Sequence, residues 1–364
     1  MEEKQVHDLG DKGDGDVGNA TATSATLCAR LNGLKDRISA YHRSRLWDRF
    51  KKMSNPYELI PAVAEDQPIS RSYFKLWEIL TDFESDVLPH GAPVDALFLA
   101  EGPGGFVEAL GSFCQRRSRP VRRMQGMTLL PGGARDQGVP GWRVGARLGL
   151  KVLGGADGTG DLCNVENMRA CVAAVGAGTA TLVTADGGFD FSSDFNHQES
   201  MCTPLIMAEA FVALSVLAPG GAFVLKVFDL FEPRTIAVLQ LLVASFTRTR
   251  LVKPLSSRPA NSEKYVVCSG FRASSSPGPA RTLMRALQKQ HDIADMVPVA
   301  PGLAEQIASF NATFVANQAR NIEQTFRLAD AAADGRTDGE QRVRAEAWCK
   351  AYGMAIRPVA TRRL

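Results

Sequence analysis

The chain has 364 residues, 45% hydrophobic and 22% charged, proportions that exclude a disordered or fibrous polypeptide and fit one large domain with an extension, or two domains. No run approaches a membrane-spanning helix, and residues 1–20 lack the apolar core of a signal peptide. Seven cysteines and five histidines, scattered without CxxC, HxxxH or mixed ligand spacing, disfavour a structural zinc or catalytic metal and favour reduced thiols inside a cell.

The net charge is only +3, so its distribution matters more than its sum. Basic residues concentrate at 42–52, 115–123 and 247–254. One such cluster reads as well as a solvated face, but three together favour a polyanionic partner.

Residues 1–25 open with Asp, Gly, Lys and Ser/Thr and are expected to form a flexible tail. Residues 45–64 carry a helix-like segment interrupted at Asn55-Pro56. Residues 70–83 read as a helix with Ser70 as N-cap and Phe74, Trp77, Ile79 and Leu80 on its apolar side; Lys75 reads locally as a surface lysine. An apolar strand at 94–100 runs into Glu101-Gly102-Pro103-Gly104-Gly105-Phe106, and helical spacing follows to 113. Strand, glycine-rich turn and helix let a backbone approach a nucleotide-like cofactor, because glycine adds no side-chain bulk. The dinucleotide fingerprint GxGxxG and the Gly-Lys-Ser/Thr of a phosphate-binding loop are both absent, which disfavours a dehydrogenase or an NTPase.

Further strands are expected at 123–129 and 150–153. A polar turn, Asp157 to Asp161, precedes a helix starting near Val165; Asp161 offers either a cap for that helix or an acceptor for an adenine amino group. Leu182-Val183 leads to Asp186, and Phe223-Val224-Leu225 leads to Lys226. A lysine ending a buried strand is costly unless its amine is paired or used. A long amphipathic helix at 201–217 separates these two strands. After a helix at 235–244 and a strand at 249–253, Ser262-Glu263 opens the strand 265–268. Alternation of strand and helix predicts an α/β fold, a mainly parallel sheet with helices on both faces, with ligands at the carboxyl ends of its strands. Beyond residue 271 a Ser/Pro/Gly-rich linker leads to helices at 280–290, 304–317, 321–333 and 341–352. The expected division is therefore 1–25 tail, 26–271 domain, and 272–364 linker with helical extension.

Taken together, Ala100-Glu-Gly-Pro-Gly-Gly-Phe106, Ala185-Asp-Gly-Gly-Phe189, Leu225-Lys-Val-Phe-Asp229 and Ser257-Arg-Pro-Ala-Asn-Ser-Glu-Lys-Tyr265 resemble the RrmJ/FtsJ-like 2′-O-ribose methyltransferases. Within that group they are most similar to the eukaryotic cap-specific mRNA 2′-O-methyltransferases that make cap 1, as are Asn55-Pro-Tyr-Glu58, Gly126-Met-Thr128 and Gly158-Thr-Gly-Asp161. The resemblance spans about 45–271 and, more loosely, 296–310. It implies a Rossmann-like fold and a tetrad of Lys75, Asp186, Lys226 and Glu263, which moves Lys75 from surface to site. It implies S-adenosylmethionine as cofactor, at Glu101 to Phe106, Asp161 and Asp186. Thr128-Leu129-Leu130 stands where many methyltransferases place an acid for the ribose. The implied substrate is m7GpppN-capped mRNA in the nucleus, with other capping enzymes or RNA polymerase II as further partners, no membrane and no metal.

The chemistry suits these residues. A ribose 2′-hydroxyl is a weak nucleophile that must be held in line with the methyl carbon and relieved of its proton. Lys226 is the expected base: burial beside Lys75 would lower its pKa, while Asp186 and Glu263 hold it in place and act to raise it, so the sequence leaves the net direction open. Asp194, Asn196, Arg258 and Asn261 are the cap or RNA candidates. Rival readings are methyl transfer to another cap-proximal nucleotide or to ribosomal or transfer RNA, and a non-catalytic RNA-binding scaffold.

Overall fold

In a computed structural model the described residues are 4–10, 24–42, 46–88, 91, 93–131, 141–144, 148–189, 195–273, 277–331 and 338–358. Eight strands form one sheet: β1 (Gln5–Leu9), β2 (Val94–Leu99), β3 (Val121–Met127), β4 (Leu150–Val152), β5 (Ala180–Ala185), β6 (Leu217–Val227), β7 (Phe246–Lys253) and β8 (Lys264–Phe271). Their order is β1-β7-β8-β6-β5-β2-β3-β4. The run β4-β3-β2-β5-β6 is parallel. Strands β8, β7 and β1 are added antiparallel, so the sheet is mixed but mostly parallel. Strand β2 is buried at every position, as expected where helices cover both faces.

The helices before the sheet's centre are α1 (Ser24–His42), α2 (Leu46–Met53), α3 (Ile60–Val63), α4 (Ser72–Asp82), α5 (Glu84–Val87), α6 (Gly105–Arg116) and α7 (Val165–Val175). After it come α8 (Gln198–Val216), α9 (Pro233–Ser245), α10 (Pro277–Leu287), α11 (Ile293–Met296), α12 (Pro301–Asp330) and α13 (Asp338–Ala351). One apolar core joins the sheet to α7, α8, α9, α10 and the start of α12. A second, on the other face, joins it to α3, α4, α6 and α13. A third cluster holds α1 and Trp47 against the middle of α12.

Several expectations change. Within the stretch expected as a flexible tail, residues 5–9 pair with β7 in full register, because the exposed edge of β7 supplies a ladder that local sequence does not reveal. Residues 11–23 lie outside the described residues. Ser70 does not cap α4: its hydroxyl bonds to that of Ser72 at 2.6 Å, and the N-cap position is Arg71 without a side-chain cap bond. Helix α8 is buried on most of its circumference rather than amphipathic. It is also the one helix among the described residues long and apolar enough to cross a membrane, with 72% of that window buried inside the protein, which makes it a core helix. The helices expected at 304–317 and 321–333 are one continuous α12, since Gln318 and Ala319 at the supposed break are buried at 2% and 0% exposure. The segment beyond 271 shares both main cores with the sheet.

Candidate active site

The carboxyl ends of β2, β5 and β6 bring the expected residues to one edge of the sheet. Gly104, with φ +117, turns the chain into α6, and an added Cβ there would meet Val144 Cγ1 at 2.4 Å. Gly104 also stands at the helix N-cap and makes no side-chain cap bond, so the opening amides of α6 are left for a ligand. Glu101 is 4% exposed. Its Oε1 accepts the Thr184 hydroxyl at 2.5 Å, and its Oε2 has no partner among the described residues. Burial, helped by the Asp186 and Glu209 carboxylates, holds Glu101 well above the usual carboxylate range despite the Thr184 bond. A buried polar atom left without a partner calls for one, and a polar cofactor in this turn supplies it. The residues therefore fit S-adenosylmethionine, with Gly102 to Gly105 as backbone and Glu101 as side chain. Phe106 differs: its ring is fully buried, 6.0 Å from that of Tyr265, leaving only its amide for a ligand.

At the far side of this cleft, Leu130 N–H donates to Thr159 O at 2.8 Å and joins the end of β3 to the turn holding Asp161. Asn164, not Asp161, caps α7 by accepting from Glu166 N. Asp161 Oδ1 accepts from Cys163 N at 2.9 Å, which fixes its carboxylate at the mouth of the β4–α7 turn. Thr128, 2% exposed, follows β3 with no acid beside it.

The four tetrad residues come together as two ion pairs. Lys75 Nζ lies 2.7 and 2.8 Å from the two Glu263 carboxylate oxygens. Lys226 Nζ donates to Asp186 O at 2.6 Å and lies 3.2 Å from Asp186 Oδ1. Lys75 is no surface residue, because Arg71, Lys75 and Glu78 form an i, i+4, i+7 polar stripe on α4. That stripe faces residues 254–263: Glu78 accepts the amides of Leu255 at 2.6 Å and Ser256 at 3.1 Å. Burial lowers the Lys226 pKa, but the Asp186 and Glu263 carboxylates outweigh it and hold the amine above its ordinary value. The direction the sequence left open is therefore upward: Lys75 is paired with Glu263 at 2.7 Å and does not act on Lys226 as an unpaired ammonium would. Glu263, though buried, is pulled down to about 2 by Lys75, Lys226 and Lys253.

Four groups around the tetrad were not legible in the sequence. Tyr265 OH donates to Asp186 Oδ1 at 2.8 Å, and Ser257 Oγ donates to Glu263 Oε1 at 2.8 Å. Lys253 donates to Glu263 O at 2.5 Å and to Asn261 O at 3.0 Å. Glu209 packs its carboxyl against Gly187, where an added Cβ would lie 2.3 Å from Oε1. Burial, against the pull of Lys226, holds Glu209 well above the usual carboxylate range. Ser257 and Tyr265 stand at the ends of the Ser257-to-Tyr265 motif, but the sequence gives them no partners, and Lys253 and Glu209 carry no sequence signal.

Beside Glu263 lies a cavity of 140 Å³ lined by Trp47, Phe195, Lys35, Lys51, Arg258 and Asn261, among others. Arg258 is aimed by Glu58, bonded at 3.1 and 3.2 Å, which explains the Asn55-to-Glu58 motif: Asn55 donates to Glu58 Oε2 at 2.7 Å. Of the loop candidates, Asn196 donates to Asp36 Oδ1 on α1 at 2.6 Å and does not line the cavity, whereas its neighbour Phe195 does. Asp194 lies outside the described residues.

Among the described residues, the basic clusters at 115–123 and 247–254 are largely internal ion pairs. Arg116 pairs with Asp66, Arg117 and Arg119 with Glu84, and Arg122 and Arg123 with the buried Asp95. Arg248 and Arg250 share Asp86, and Lys51 pairs with Asp48. The charge at 115–123 and at Arg248 and Arg250 is thus largely architectural, whereas Lys51 of the first cluster lines the cavity. Among the described residues no group of His, Cys, Asp and Glu is arranged for a metal ion.

Residues 68–271 match the family described as FtsJ-like methyltransferase. A cap-specific mRNA (nucleoside-2′-O-)-methyltransferase 1 of Danio rerio is 35% identical over 245 residues, covering 62% of this chain and 28% of the relative. The protein of the same name in Trypanosoma cruzi is 38% identical over 181 residues, 49% of this chain and 48% of the relative. A cap-specific mRNA (nucleoside-2′-O-)-methyltransferase 2 of Danio rerio is 30% identical over 298 residues, 71% of this chain and 36% of the relative. The chain therefore spans less than half the length of each.

Proposed function

The chain belongs to the FtsJ-like methyltransferase family, and on that premise we propose that it methylates the ribose 2′-hydroxyl of the first transcribed nucleotide of capped mRNA. The observation that carries this reading is the placement of two lysine–carboxylate pairs, Lys226–Asp186 and Lys75–Glu263, between the glycine turn after β2 and the cavity beside Arg258 and Asn261. The bound cofactor supplies an electrophilic methyl group on a sulfonium. Asp186 holds the Lys226 amine through two oxygens, leaving its remaining N–H direction for the ribose hydroxyl. Glu263, held by Lys75 and Ser257, acts on that amine through its charge and keeps it above its ordinary pKa. Because Lys226 rests as an ammonium, it must lose its proton before it can take one from the hydroxyl.

Trp47 and Phe195 offer aromatic surface for a cationic methylated guanine, and Lys51 and Arg258 offer charge for the triphosphate bridge, while the Lys35 amine is spent on Asp229. A nuclear place of action follows from this reading. The longer match to a cap-specific methyltransferase 2 favours one alternative, transfer to another cap-proximal nucleotide, which the same residues would perform.

The test is tritiated methyl transfer to m7GpppN-capped, GpppN-capped and 5′-triphosphate RNAs, with nuclease mapping of the product. Label on the first ribose of capped RNA alone is expected. Label on another cap-proximal ribose selects the alternative, and equal label on uncapped RNA defeats both. For Lys226 as base, kcat/KM should rise about tenfold per pH unit on the acid side of its pKa; a flat profile from pH 6 to 9 would leave it an orienting group only.

A further inference from the structure

A second cavity, of 290 Å³, lies beyond the tetrad on the side away from the glycine turn. Lys253, Asn317, Arg320, Asn321 and Gln5 contribute to its lining, and no carboxylate does. Lys253 ends β7 and Gln5 opposes it at the start of β1. The cavity thus sits at the same edge of the sheet as Asp186, Lys226 and Glu263, about 10 Å from the β6 position at the usual strand spacing. Residues 254–261 separate it from the first cavity, and Pro259 lines both.

The lining is built for an anion. Arg320 is exposed, and its side chain and those of Asn317 and Gln5 have no hydrogen-bond or ion-pair partner among the described residues. The carboxylates nearby are spent elsewhere. Glu78 takes the Leu255 and Ser256 amides and pairs with Lys4. Glu323, one turn along α12, is directed to Arg327 at 3.9 Å. Lys253 has its donors committed to Asn261 and Glu263, and burial holds its amine well below the usual lysine range, so Arg320 supplies the positive charge and the uncommitted side chains supply the bonds.

We propose that this cavity binds a backbone phosphate of the RNA chain 3′ to the reacting ribose, through Arg320 and Asn317. The cap side of the substrate then lies on one side of residues 254–261 and the transcript on the other, with the reacting ribose over Glu263. The assignment rests on the RNA methyltransferase reading, and its test requires no turnover. Fluorescence polarisation would compare a cap dinucleotide with capped and uncapped ten-nucleotide RNAs, for wild type, R320E and R320A.

R320E should weaken binding of the ten-nucleotide RNAs about 5- to 10-fold and reduce the salt-dependence slope by about 0.7, the share of one phosphate on a single strand. Binding of the cap dinucleotide should not change, and R320A should give a smaller loss of the same kind. Equal effects on short and long ligands, or none, would overturn the proposal. An Arg320-dependent thermal shift with sodium phosphate, without any dependence on RNA length, would make this a free-anion site and overturn it as well. Loss of cap selectivity with Arg320-dependent binding of both long RNAs would defeat the cap reading and leave this site standing.

Discussion

The protein contains two buried networks of lysines and carboxylates, side by side along the same edge of the sheet. In the first, Lys226, Asp186, Lys75 and Glu263 keep side-chain exposures of 10–15%. In the second, Lys35 and Asp229 meet at 2.5 Å with exposures of 3% and 7%. Lys264, fully buried, donates to Phe228 O and lies 4.0 Å from the Phe314 ring centre. Glu199 accepts the amides of Phe231 at 3.1 Å and Glu232 at 2.9 Å. This second set ties α1, α8, α12 and the turn after β6 together. Both networks contain the residue types of the tetrad, yet only the first opens to the cleft. Burial of charge raises the cost of a group in either place; access to a ligand is what separates chemistry from architecture.

The sharpest way to test that contrast is to remove one member of each. Lys226→Ala should reduce methyl transfer by at least about 10³-fold while leaving the thermal midpoint within a few degrees. Asp229→Ala should instead cost about 3–5 kcal/mol in urea unfolding, because it strands Lys35 and Lys264 as uncompensated buried cations. If Asp229→Ala spared stability and abolished transfer, the division between the networks would be wrong.

Glu199 offers a subtler probe. Burial raises its pKa to about 7, even though Phe231 and Glu232 N–H groups pull it down. Its folded value lies above the unfolded one near 4.5, so the folded state keeps a proton that the unfolded chain releases. Its contribution to stability is present below the unfolded value and is lost as pH rises through the folded one, at about 1.4 kcal/mol per pH unit. Glu199→Gln should flatten that decline between pH 4.5 and 7; an unchanged slope in denaturation midpoints across the range would remove Glu199 as its source. The smallest effect belongs to Tyr265→Phe. Losing its bond to Asp186 should cost about 1 kcal/mol and lower kcat several-fold with KM unchanged, and a shift in KM alone would mean that Tyr265 contacts the substrate instead.

The sequence by itself determined the strand–glycine turn–helix at 94–116, the positions of Asp186 and Lys226 at strand ends, and the Ser257-to-Tyr265 motif. Each is a local pattern of periodicity, glycine and breakers, or a contiguous run of residues, and local patterns survive without knowledge of neighbours. Tertiary structure alone decided what depends on partners far along the chain. Lys75, named from sequence only through the family resemblance, meets Glu263 because α4 lies against residues 254–263. The arginines at 116–123 become structural only because Asp66, Glu84 and Asp95 come to meet them. The direction of the Lys226 pKa, open from sequence, is upward because Asp186 and Glu263 arrive from separate segments and their Coulomb pull in a poorly screened interior exceeds the desolvation. Residues 5–9 are a strand because β7 has an open edge, and the 290 Å³ cavity exists only where β1, β7 and α12 converge.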